Sequence, residues 1–221
     1  MAKLLHSWNF TAQKPAFSAY EQSPEAVRRW IEQQYPAIQQ AAKKQGRLIF
    51  WLDETGMRSQ HQAGTSFSPR GTTPLIKRSG QRFSLNMISA ISNKGQLIFM
   101  IVDGSFNGKV FIKFLSKLIK TIKVKMFVIA DQHPVHREKQ VGKWLEAHPK
   151  QIALSFLPPY SPELNVVEYF NQDLKTNLVG KVRPHNKQQL KMMAAAFTRK
   201  TKRNPQKVKK YFHAKAVQYA I

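Results

Sequence analysis

The 221-residue chain has no cysteine, which excludes disulfides and thiolate metal sites and agrees with a reducing cytosol. It is also poor in acids: 12 Asp and Glu stand against 36 Lys and Arg, for a formal charge of +24. No acid occurs between Thr55 and Val102, and none follows Asp173. A charge so far from zero calls for a polyanionic partner, most simply nucleic acid. No apolar run approaches the roughly 20 residues of a membrane helix, and MAKLLHSWNF lacks the form of a secretory signal. A cytoplasmic protein, associated with the nucleoid through its charge, is the expectation. Hydrophobic residues make up 42% of the chain, enough for a globular core.

Along the chain, residues 1–45 read as a helical linker set somewhat apart. Ser23-Pro24-Glu25 supplies a cap hydroxyl, a first-turn proline and an acid for one helix. Pro36 is expected to break it or to open a second. From Arg47 the texture changes. RLIFWLDE is a short apolar run ending in acids, and residues 55–71 read as turn-rich. RFSLNMISAIS and QLIFMIVDG read as two further strands. GKVFIKFLSKLIKTI carries a helical apolar stripe, and its flanking aromatics Phe106, Phe111 and Phe114 read as core. VKMFVIAD and QIALSF are strands separated by a helix over VHREKQVGKWLEAH. A helix is expected from about Pro162 to Leu178, and basic helices follow. Three strands in a meander, then strands alternating with helices, predict an α/β fold with a mixed five-stranded sheet flanked by helices. The expected organisation is a linker (1–45), a central domain (46–180) and a basic helical extension (181–221).

Asp53 and Asp131 each follow an apolar strand, and Glu168 is expected about two turns into the helix behind SFLPPYSPELN. Such acids gather at the carboxyl edge of a parallel sheet, where grouping them is costly unless cations join them. Mg²⁺ suits an all-oxygen site that also takes phosphate oxygens, and paired ions suit phosphodiester cleavage. Asp53, Asp131 and Glu168 are therefore the candidate catalytic and metal-binding residues. Glu54 should point to the opposite face of the strand, more readily into a salt bridge than onto metal. Glu163 is expected to serve the helix dipole, Asp103 a turn. His133 and His136 lack the third ligand of a zinc site; His136 is a candidate for contacting phosphate or orienting Asp131, and Asn165 for supporting Glu168. Arg70, Lys77, Arg78, Arg82, Lys175, Lys181 and Arg183, in the acid-free stretches, are candidate DNA-backbone contacts.

FWLDETGMR, SFSPRGTTP, GSFNGKVFIKFL, VIADQHPVHREKQVGKWLEAHP and LPPYSPELNVVEYFNQDLK, in this order, resemble the catalytic domain of bacterial insertion-sequence transposases, in the IS six-thirty branch of the mariner superfamily. The resemblance implies a ribonuclease-H-like fold with a DDE metal site at Asp53, Asp131 and Glu168. The 36 residues between the last two fit the family's spacing. It implies two Mg²⁺ or Mn²⁺ ions, cleavage of DNA at transposon ends, and strand transfer into target DNA, usually at TA. It also implies a homodimer and a helix-turn-helix reader. LLHSWNFTAQKP looks like that reader's trailing edge, so the expectation is either a truncated copy or the second half of a split reading frame, with the reader supplied by a separate or frameshifted polypeptide. Two departures stand out: Gln132 where the family usually has Asn, and Asn171 where relatives often carry Trp. The alternatives are a DNA-binding remnant without catalysis and a nuclease on the same fold.

Overall fold

The computed structural model describes residues 2–11, 19–59, 67–73, 75, 80–179 and 184–221. Its five strands are β1 (Leu48–Arg58), β2 (Ser84–Ser92), β3 (Leu97–Val102), β4 (Met126–Ala130) and β5 (Ile152–Phe156). They form one mixed sheet in the order β3-β2-β1-β4-β5. β1, β2 and β3 pair antiparallel, while β4 lies parallel to both β1 and β5. The helices are α1 (Ala2–Ser7), α2 (Pro24–Arg29), α3 (Tyr35–Gln45), α4 (Gly108–Ile122), α5 (Lys139–Glu146), α6 (Val166–Val179), α7 (Lys187–Lys202) and α8 (Pro205–Lys210). None of the helices in the described residues is long and apolar enough to cross a membrane.

Strand alternation divides the core in two. Ile49, Trp51 and Met57 of β1 face α3, α6, α7 and the C-terminal turns, whereas Phe50 and Leu52 face α4 and α5. The reading of residues 1–45 as somewhat separate does not hold for α2 and α3. Trp30 and Tyr35, each 1% exposed, share a core with Trp51, Val217 and Ala220, and the Tyr35 ring meets those of Trp51 and Tyr219. The basic extension likewise buries Leu190, Val208 and Phe212 against the same face.

Three local expectations are corrected. Of the two outcomes expected at Pro36 the break does not occur, while α3 does open there, at Tyr35 with Pro36 in its first turn; the chain reaches it through a wide π turn over Trp30–Gln34, in which the Tyr35 N–H donates to the Trp30 carbonyl. The wide turn accommodates a ring that would clash with the carbonyl four residues back. β1 does not end at the acids either: it stays paired with β2 as far as Arg58↔Ser84, so Thr55 and Gly56 are strand, not turn. Finally, Pro162–Leu164 is a separate 3₁₀ turn and α6 starts at Val166. The break is Asn165, whose extended backbone (φ −85°, ψ 110°) separates the two and whose Oδ1 accepts from the Val167 N–H.

Candidate active site

β4 pairs with β1 only as far as Trp51↔Ile129, while β2 follows β1 much further. Past Trp51 the β4 side of β1 is therefore open, and Asp53 stands at the parting. Asp131 is the first residue beyond β4, and Glu168 lies in the first turn of α6, not two turns in, because that helix starts late. The three acids line one cleft of about 520 Å³, together with Gln132, His133, Asn165 and the segment from Leu157 to Pro162.

Their environments differ. Asp53 is 7% exposed, and its Oδ2 accepts a 2.7 Å hydrogen bond from the Asn171 amide. Burial pushes its carboxyl well above the ordinary range, and Glu168, Glu54 and Asp131 push it further. Burial also acts to raise Asp131, but hydrogen bonds from the His136 ring and the His133 N–H outweigh it and hold Asp131 low. Among the described residues the Glu168 carboxylate has no hydrogen bond or ion pair.

Glu54 behaves as the alternation predicts: it lies on the face opposite Asp53 and meets His136, not the cleft. His136, 2% exposed, places Nε2 3.1 Å from Glu54 Oε1 and Nδ1 3.1 Å from Asp131 Oδ1. Its ring lies 4.4 Å from that of Phe111. Burial opposes the imidazolium, yet the bonds to Asp131 and Glu54 push its pKa up to about 10. Of the partners named for it in the sequence, His136 directly contacts Asp131. It sits in the 3₁₀ turn Pro134–Arg137, so the expected single helix from Val135 starts as α5 only at Lys139. Glu54, Asp131 and His136 are a triad whose ligand atoms lie within 4.8 Å of one another. His136 stands between the two carboxylates as their ion-pair partner, the arrangement that its raised pKa favours.

The other candidates separate. Gln132 donates to the Leu157 carbonyl (2.9 Å) and accepts from Arg137 (2.7 Å), tying the β4 end to the β5 end without touching an acid. Asn165 donates to the Leu52 carbonyl (3.0 Å) and caps α6, fixing the helix of Glu168 against the strand of Asp53. Glu163 does not serve a helix dipole; its carboxylate lies 2.7 Å from the Gln22 amide. Asp103 follows β3 as expected, paired with Lys191 at 2.9 Å. Arg70 and Arg82 are exposed, and Arg82 lines a groove with Arg58 and Lys187. Lys175 lies beside Glu168 on a shallower surface. Lys77, Arg78, Lys181 and Arg183 fall outside the described residues.

In the sequence Asn171 stands out only as a departure from its relatives. Its position three residues after Glu168, on the same helix face, was the available signal of a place in the site.

The donor set fits a divalent cation: three carboxylates, one unpaired and one raised by burial and then by repulsion, with no cationic side chain bonded to Asp53 or Glu168 among the described residues.

A family model described as DDE superfamily endonuclease matches residues 48–191, and one described as winged helix-turn helix matches residues 1–34. None of the curated proteins matches the chain. Solved structures do. The Mos1 transposase paired-end complex with left transposon end has a TM-score of 0.67 at 14% identity, over 99% of this chain and 69% of that one. A pre-cleavage Mos1 transpososome has a TM-score of 0.67 at 13% identity, over 100% and 70%. The catalytic domain of Mos1 mariner transposase gives 0.56 at 12% identity, over 91% and 97%. At such identities the likeness carries the fold, which is ribonuclease-H-like. The family model, however, spans most of the sheet, the cleft and all three acids, and on that match this chain belongs to the DDE superfamily endonuclease family.

Proposed function

We propose that this protein is a transposase of the insertion-sequence IS six-thirty branch of the mariner superfamily. It cuts DNA at the ends of a mobile element and joins them to target DNA. The observation that carries the reading is the convergence of Asp53, Asp131 and Glu168 on one cleft in a protein of charge +24. Solved Mos1 complexes with Mn and with Mg support divalent ions as the cofactor here. Asp53, Asp131 and Glu168 would hold two Mg²⁺ or Mn²⁺. When bound, such ions supply an activated water nucleophile and stabilise the charge on the leaving oxygen.

The chain's own residues do the rest. Asp53, central and buried, would be one ligand of such ions, with the Asn171 amide holding its Oδ2. His136 holds Asp131 by one oxygen. Asn165 fixes the start of the helix that presents Glu168. In the first reaction water attacks phosphorus and a 3′ hydroxyl leaves. In the second that hydroxyl attacks a target phosphodiester, exchanging one P–O bond for another. Exposed cations such as Arg70, Arg82 and Arg58 hold the backbone, with Lys77, Arg78, Lys181 and Arg183 assigned the same role from the sequence alone. A homodimer is proposed because two ends must be handled together, and action in the nucleoid follows from the substrate. A helix-turn-helix, of which residues 1–34 carry the match, would read the ends.

The test uses duplex oligonucleotides from the DNA flanking the gene. Wild type is expected to nick and join them only with Mg²⁺ or Mn²⁺, and Asp131→Asn to bind without cutting. Wild type that binds but never cuts would instead mark a DNA-binding remnant; cutting of branched DNA without joining would mark a nuclease.

A further inference from the structure

Three non-glycine residues have left-handed backbone among the described residues: Asn9, Lys123 and Tyr160. Two are ordinary. Asn tolerates this region, and Lys123 closes α4 as its C-cap. Tyr160, with φ 54°, has neither reason. The residue is 58% exposed, so the strain is not repaid by burial. Yet the strain is enforced. Pro158, Pro159 and Pro162 stiffen the segment, and Ser161 Oγ donates to the Pro159 carbonyl (3.0 Å). The Gln22 amide lies 2.9 Å from the Tyr160 carbonyl and 3.1 Å from Ser161 Oγ. Gln22 precedes α2, 138 residues away in sequence, so a distant segment clamps this turn. Tyr160 also lines the cleft that holds Asp53, Asp131 and Glu168.

A strained backbone that presents an aromatic ring to solvent beside reacting groups is a device for binding. The reading above puts a DNA strand in that cleft. Cutting it exposes a strand end whose last base is free to unstack, and every base has a face that stacks on tyrosine. Resting on the transposase reading, we propose that Tyr160 is a stacking platform for the unpaired base beside the scissile phosphate. The platform is sequence-tolerant, because a ring face carries no hydrogen-bond code. Gln22 is the residue that fixes its orientation.

The experiment measures binding and stability separately. The probe is a duplex ending in a short single-stranded overhang, with 2-aminopurine at the first unpaired position, bound by the full chain in Ca²⁺. Wild type and Tyr160→Trp should quench its fluorescence. Tyr160→Asn should lose the quenching and bind the overhang about tenfold more weakly, as expected for loss of one base stack. Asparagine accepts the left-handed backbone, so Tyr160→Asn should also melt above wild type. Fluorescence and affinity in Tyr160→Asn equal to wild type would overturn the platform. So would absence of quenching by wild type in an assay where it still cuts DNA with Mg²⁺. Failure of the transposase reading looks different: wild type would then show no metal-dependent cutting at all. A Tyr160→Asn protein that melts lower than wild type would overturn the strain argument on which the inference rests.

Discussion

Asp53 and Glu54 are neighbours on one strand with opposite electrostatic fates. Glu54 points to the α4 face, where buried His136 pairs with it at 3.1 Å. Asp53 points to the α6 face, where its bonded partner is a neutral amide, Asn171, at 2.7 Å. On one face the charge is answered within the protein. On the other, three acids repel one another and Asp53 is driven up. The α4 face supplies a built-in cation; the α6 face is left wanting one. His136 joins the two, since its second nitrogen holds Asp131, so the satisfied face orients an acid of the unsatisfied one.

The sharpest way to break this contrast is to neutralise each acid in turn. Asp53→Asn should lower metal-dependent cleavage by about a thousandfold or more, since the proposed metal site loses a ligand. Without divalent ions the same variant should melt above wild type at about pH 8, because no carboxylate is then buried there and its repulsion with the other acids is gone, and the gap should close as pH falls towards the ordinary Asp range. Thermal melts and a gel assay check both arms. Glu54→Gln should do the reverse, lowering stability while leaving residual metal-dependent cleavage.

His136→Gln comes next. Removing the cation between Glu54 and Asp131 should cost about 2 kcal/mol, below the range for fully buried pairs because both carboxylates are partly exposed. Denaturant unfolding measures it. The contribution has a predictable pH window. His136 is raised from about 6.5 to about 10, so its stabilisation is complete below the unfolded value and disappears as pH rises through the folded one. In metal-free protein the stability gap between wild type and Glu54→Gln should therefore shrink across that window. A gap that stays constant would show that the pair is not held by an imidazolium.

Asn171→Ala is expected to have the smallest effect on stability of these substitutions, about 1 kcal/mol for one hydrogen bond to a carboxyl. Its larger effect should be on metal affinity, weakened about tenfold as Asp53 loses its orientation. Calorimetric titration with Mn²⁺ measures it, and unchanged affinity would make Asn171 a packing residue.

Much of this was legible in the sequence. α4 falls on its predicted bounds because the stripe from Val110 to Ile122 is unambiguous, and five apolar runs became the five strands. The opposite faces of Asp53 and Glu54 followed from strand alternation alone. The failures have specific causes. Thr55-Gly56 looks like a turn, but pairing with β2 overrides its weak local preference. Asn165 ended one helical piece and began another, which moved Glu168 into a first turn. The contacts of His136 with Glu54 and of Asn171 with Asp53 span 82 and 118 residues, and no periodicity encodes partners so far apart. Tyr160 gave no signal, because strain is a property of the folded backbone.

The central claim is that the metal belongs on the Asp53 side of β1 and the imidazolium on the Glu54 side. Anomalous diffraction from crystals soaked in Mn²⁺ tests it directly. The account predicts two peaks in the cleft, one between Asp53 and Asp131 and one between Asp53 and Glu168, with His136 still bonded to Glu54. A peak held by Glu54 and Asp131 with His136 as a ligand, and none at Glu168, would contradict it.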